Sequence, residues 1–130
     1  HTLKALARQY HDYGRWRREV ARRHPETVSA RYLAAPAAVV GVGAGVALAG
    51  VGAAARQPWL VALGLAAPLG YAALNLAASA HGALSAPRLS RAEAARLPAV
   101  YATMHGAWGL GFLRGLPGAE RRSVPGPAGG

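Results

Sequence analysis

The apolar positions of this chain follow three different rhythms. Over the first 24 residues, Leu3, Leu6, Tyr10, Tyr13, Trp16 and Val20 recur at steps of three and four. Lys4, Arg8, Asp12, Arg15, Arg18, Glu19, Arg22 and Arg23 fall on the other side. That periodicity predicts an amphipathic basic helix over 1–24, suited to lie in the plane of a membrane surface. Arg17 alone sits on the apolar stripe, where its long stem lets the charge snorkel. Gly14 in the helix interior is unfavourable by about 1 kcal/mol relative to Ala. His24-Pro25 ends the helix, because a residue before proline is driven out of helical geometry. Pro25 and Glu26 suit a new first turn, so 25–33 reads as an elbow.

The rhythm then disappears. Tyr32–Ala55 is 24 residues long without a charged side chain. As a helix it covers about 36 Å, more than the ~30 Å of bilayer hydrocarbon. A run apolar on every face predicts a transmembrane helix over 34–55. Gly41 and Gly45, with Ala37 and Ala49 on the same row, form a ridge smooth enough for a partner helix to approach closely. The competing explanation of the ridge is a bias of the whole sequence toward Ala and Gly. A second span is expected over 58–84, with Trp59 at one interface and a kink at Pro68. Asn75 and Ser79 then lie at membrane depth, either lining a polar path or hydrogen-bonding to the first span. The short Arg56–Trp59 connection makes the two spans an antiparallel hairpin.

Residues 85–96 read as a basic cytoplasmic loop, in which Ser90 and Glu93 form a capping-box pattern that starts a helix at Arg91. Leu97–Leu113 offers 17 uncharged residues, about 26 Å of helix, expected as a third apolar helix that either spans or re-enters. His105, Trp108 and Asn75 are the polar candidates at membrane depth. The plainer role for His105 is a structural hydrogen bond. Residues 114–130 are expected as a disordered tail. The fold class expected is therefore an all-α membrane protein: an amphipathic interfacial helix, a transmembrane hairpin and a third short apolar helix.

Charge sharpens this picture. The chain carries 15 Lys+Arg against 5 Asp+Glu, a formal net charge of +10. Such a balance calls for an anionic partner. With arginines on a helix joined to a span, anionic lipid headgroups are met first, and nucleic acid is not expected. Eight of the basic residues precede the first span, three lie in the 85–96 loop, and Arg56 alone lies between the spans. The positive-inside rule then places the N-terminal segment and the loop in the cytoplasm. Cysteine is absent, which excludes disulfides and thiolate metal sites. One Asp and four Glu are scattered, with no Asp-x-Asp and no phosphate-binding glycine loop after a strand. The chain alone is not expected to be catalytic, bind a cofactor or hold a metal. Its first residues already read as mid-helix, so it is expected to be a C-terminal piece of something longer.

Leu6–Pro36, LARQYHDYGRWRREVARRHPETVSARYLAAP, and Leu97–Gly115, LPAVYATMHGAWGLGFLRG, resemble the membrane region that follows the catalytic domain in bacterial family 2 glycosyltransferases of the exopolysaccharide (succinoglycan) type. The resemblance implies a membrane-anchoring C-terminal module of an enzyme that transfers sugar from a nucleotide-sugar to a lipid-linked or polysaccharide acceptor. It further implies a bacterial cytoplasmic membrane, a missing N-terminal catalytic domain as partner, and Mg or Mn in the parent enzyme. Arg15-Trp16 is similar to the end of the Gln-x-x-Arg-Trp motif of processive synthases, with Asp12 where that motif has Gln and Gln9 the nearest Gln. On that basis Gln9, Arg15, Trp16 and Arg18 are candidates to touch an acceptor diphosphate or a lipid headgroup. The alternative role for Arg15 and Trp16 is an interfacial anchor. A second reading of the whole chain is a free-standing small basic membrane protein that binds anionic lipid or a partner's transmembrane helices.

Overall fold

The computed structural model describes residues 2–86 and 88–115, and within them every regular element is helical. Helix α1 spans Leu3–Arg23, α2 Ala30–Ala54, α3 Pro58–Ser85 and α4 Arg91–Arg114, with a single 3-10 turn at Pro25–Thr27 between α1 and α2. The Thr2 hydroxyl caps α1 by accepting from the Ala5 amide, and His24 closes it with its own N–H on the Val20 carbonyl. Two boundaries differ from expectation. Helix α2 begins inside the expected elbow, because the break is confined to 24–29, with a 3-10 turn at Pro25–Thr27 and extended backbone at Val28 and Ser29. Helix α4 takes in much of the expected basic loop. Ser90 accepts from the Glu93 amide while the Glu93 carboxylate accepts from the Ser90 amide, so α4 starts at the capping box and runs uninterrupted into the apolar stretch. Pro68 does not end α3, which continues through it. Of the expected disordered tail, Arg114 instead closes α4 and Gly115 caps it, and the remainder lies outside the described residues.

Helices α2 and α3 form the antiparallel hairpin. Both are long and apolar enough to cross a membrane; α4 does not meet that test. At the turn, Arg56 takes a left-handed φ of 54°, and the Gln57 amide reaches back to the Gly52 carbonyl. The Gly41–Gly45 ridge faces α3 of this same chain. A Cβ on Gly45 would stand 2.5 Å from the Gly64 carbonyl oxygen and 2.9 Å from Cδ of Pro68. A Cβ on Gly64 would collide with the Ala49 backbone. The two backbones therefore touch, and only glycine fits at the contact.

Helix α4 closes the open end of the hairpin. Gly109 sits against the Ala35 carbonyl and Val39 on α2, while Tyr101 reaches Gly82 and Asn75 donates to the Pro98 carbonyl from α3. These contacts all lie away from the Arg56 turn. Asn75 thus bonds to α4 and not to the first span, and Ser79 bonds back to the Asn75 carbonyl within its own helix. Both findings correct the expected hydrogen bonding to α2. The reason is spatial: the α2–α3 seam is filled by glycines and alanines, which leaves no room for side-chain bridges.

No hydrophobic side chain is buried among the described residues, and Leu74 and Leu84 are 74% and 84% exposed. Apolar surface of this extent on a water-soluble protein would associate. It suits a chain whose solvent is hydrocarbon. Replacing Gly64 by Leu is expected to lower stability in detergent by about 1–3 kcal/mol, because the hairpin backbones must separate. Gly50→Leu, where an added Cβ meets nothing within 4 Å, is expected to stay within about 0.5 kcal/mol of native. Thermal unfolding followed by circular dichroism compares the two.

Candidate functional site at the base of the hairpin

The site is built by docking the first helix on the last. A Cβ on Gly14 would strike the Trp108 carbonyl and lie 2.8 Å from the Phe112 amide, and one on Gly111 would strike the His11 carbonyl. Gly14 is therefore the position that lets α4 seat on α1, which is what the helix gains for its weak propensity there. Contacts climb both helices together, from Tyr10 beside Met104 and Trp108 to Arg18 beside Phe112 and Leu113. The helices run parallel.

That register brings two of the sequence-selected arginines to the end of α4. Arg18 Nη1 donates to the Phe112 and Leu113 carbonyls at 3.2 and 3.3 Å, and Arg15 Nε donates to the Gly115 carbonyl at 3.1 Å. Gly115 takes a left-handed φ of 66° and bonds its own amide to the Gly111 carbonyl. Cations at the negative end of a helix dipole satisfy carbonyls that have no partner inside the helix. Arg15 also faces Asp12, at 3.7 Å. Trp16 points outward, 61% exposed, on the stripe with Leu3, Tyr13 and Val20. Gln9 donates to the Tyr13 hydroxyl. The four residues proposed for an acceptor thus divide: Arg15 and Arg18 fasten α4, while Gln9 and Trp16 face outward.

Arg17 does not snorkel freely. Its guanidinium carbon lies 3.8 Å from the centre of the Tyr32 ring, and it donates to the Thr27 carbonyl. This ties α1 to the 3-10 turn and to α2, while its Nε remains buried without a partner. Arg31 approaches the same ring, at 5.7 Å.

Beside this cluster, Tyr10, Arg31, Tyr32, Met104, His105 and Trp108 line a cavity of about 260 Å³ between α1, α2 and α4. A second cavity of about 190 Å³ shares Ala35 and His105 with it and extends along Ala38, Val39 and Val42 to Tyr71. The Tyr71 hydroxyl and His105 Nδ1 are 3.3 Å apart across this inner space. His105 and Trp108 are thereby brought to one site, with Trp108 also stacked on Phe112 at 5.8 Å. Asn75 is not part of it; its Oδ1 is buried and unpaired where α3 meets α4. Arg31, Tyr32, Tyr10 and Met104 escaped the sequence reading. The available signal was an arginine and an aromatic together at the opening of a span.

The acidic side chains among the described residues are already occupied. Glu19, buried in α1, accepts from Arg22 and Arg23 at 2.9 and 2.6 Å. Glu26 stands 3.3 Å from His24, Asp12 faces Arg15, and Glu93 serves the Ser90 cap. Among the described residues no three His, Asp or Glu side chains gather. They do not fit the divalent cation that the glycosyltransferase resemblance implies for the parent enzyme. Comparison with protein-family models, curated proteins and solved structures finds no match for this chain.

Hydrogen bonds from Arg22 and then Arg23 hold the Glu19 carboxyl at about 2, below its ordinary 4.5. A depressed carboxyl contributes its full stabilisation above the unfolded value and loses it as pH falls through the folded one. The stability difference between the native chain and Glu19→Gln is therefore expected to shrink as pH drops from about 4.5 toward about 2. Helicity in micelles measures it. Arg18→Met is expected to weaken the end of α4 by about 0.5–1 kcal/mol, seen as faster hydrogen exchange of amides near Gly115.

Proposed function

We propose that this chain is a membrane-anchoring module whose α2–α3 hairpin spans the bilayer while α1 and the start of α4 lie at its cytoplasmic face. We further propose that the parent is a family 2 glycosyltransferase, transferring sugar from a nucleotide-sugar to a lipid-linked or polysaccharide acceptor at that face of the bacterial cytoplasmic membrane. One observation supports the second step. The two stretches that resemble such enzymes lie far apart in sequence, yet α1, from the first, packs on α4, which carries the second. They therefore act as one unit, a platform on which a preceding domain would rest. In this reading the metal and the nucleotide-sugar belong to that domain, and the fragment contributes position. A free-standing small basic membrane protein is the second reading. The cavity at the hairpin base favours it, being built wholly from this chain's own residues.

Topology is tested first. In intact cells a membrane-impermeant maleimide is expected to label Arg56→Cys and to spare Ser90→Cys; the reverse pattern would sink the orientation. The full-length protein tests the enzyme reading, by sugar transfer to membrane acceptor. Because Arg15 holds Gly115, Arg15→Ala is expected to reduce transfer and α4 protection together. Lost transfer with α4 protection intact would instead give Arg15 a direct hold on substrate.

A further inference from the structure

The two adjoining cavities at the hairpin base have the shape and chemistry of a single-lipid site. The outer one lies where α2 begins, at the depth of headgroups if α2 spans the membrane. Its guanidinium is that of Arg31, exposed and without a carboxylate partner among the described residues, and His105 also lines it. Its walls are aromatic: Tyr10, Tyr32 and Trp108, rings that favour the boundary between headgroup and hydrocarbon. The inner cavity leads down α2 over Ala35, Ala38 and Val42, all small or aliphatic, toward Tyr71. A cation at the mouth and an apolar slot behind it suit a molecule that is anionic at one end and hydrocarbon at the other.

We propose that this groove holds one anionic glycerophospholipid, its phosphate diester on Arg31 and one acyl chain in the slot between α2 and α4. The Arg31 guanidinium donates to the phosphate oxygens as a fork, a stronger contact than a neutral hydrogen bond. Tyr32, whose ring meets both Arg17 and Arg31, holds the mouth in shape. The chain replaces nothing of the protein's own packing, since the slot is already open between α2 and α4. The inference rests on α2 and α3 being membrane spans.

The test uses the whole chain, purified in detergent with equal phosphatidylglycerol and phosphatidylcholine, and native mass spectrometry of retained lipid. One phosphatidylglycerol per protein is expected to survive activation that strips phosphatidylcholine. Arg31→Ala is expected to reduce that retention about tenfold, the size of one charge-assisted contact. Arg88→Ala, away from the groove, is expected to leave it unchanged. Ala38→Phe fills the slot and is expected to remove the lipid while helicity is kept; Ala102→Phe does the same from α4 if that variant does not fold. Equal retention of both lipids, or equal effects of Arg31→Ala and Arg88→Ala, would overturn the proposal in favour of a nonspecific lipid annulus. Full displacement by chainless glycerophosphoglycerol would overturn it in favour of a bare phosphate site. Extraction of the protein from vesicles by alkaline carbonate would instead sink the membrane reading beneath it. A protein that stays in vesicles yet shows no lipid preference sinks the lipid site alone.

Discussion

Backbone-to-backbone contact holds this protein together. Among the described residues no large hydrophobic side chain is buried, so the usual driving force of a core is missing. Within hydrocarbon that force is missing anyway, because lipid tails are as apolar as leucine. What remains is dispersion at short range, which falls steeply with separation and so rewards helices that meet without side chains between them. Gly45 and Gly64 do this for the hairpin, and Gly14 and Gly111 do it for the first and last helices. Every other feature of the base depends on those two approaches. Were α1 and α4 held a side chain's width apart, Arg18 would no longer reach the Phe112 and Leu113 carbonyls and the outer cavity would lose its Tyr10 wall.

Much of the fold was legible because its signals are local. His24-Pro25, the Ser90/Glu93 cap and the long uncharged runs each act within a few residues, and the structure shows a break, a helix start and two apolar helices at those places. The α2–α3 pairing followed from their short connection, but what α1 and α4 pack against was not legible. Gly14 reads as a defect until α4 is seen against it. The exposed stripe of Leu3, Tyr13, Trp16 and Val20 was visible from spacing, yet the face that binds α4 lies roughly a third of a turn away, at about 100° per residue. At its centre stand only a glycine and a histidine, Gly14 and His11, flanked by Tyr10, Arg15 and Arg18. Asn75 illustrates the same limit: its polarity at depth was plain, its partner on α4 was not.

The arginines show how one residue type is sorted by position. Arg15 and Arg18 complete a helix end, Arg17 spans the elbow, and Arg23 covers Glu19. Arg31 stands at a cavity mouth instead. A uniform reading of such charge as a headgroup-binding surface overlooks the carbonyls and rings that several of these groups already serve. Net charge tells what the chain will approach; the hydrogen bonds tell which charges are still available when it arrives.

The parallel seating of α1 on α4 has a consequence for how the molecule assembles. Of the four helices described, α1 is made before α4, and the hairpin comes between them. Closing so long a loop carries its entropy before any contact repays it. During synthesis α1 emerges with its glycine face bare and stays uncovered until the hairpin is in place. Only then does α4 arrive to cover it, so the base is the last part of this four-helix arrangement to set, and a ribosome that stops before Trp108 leaves it unmade.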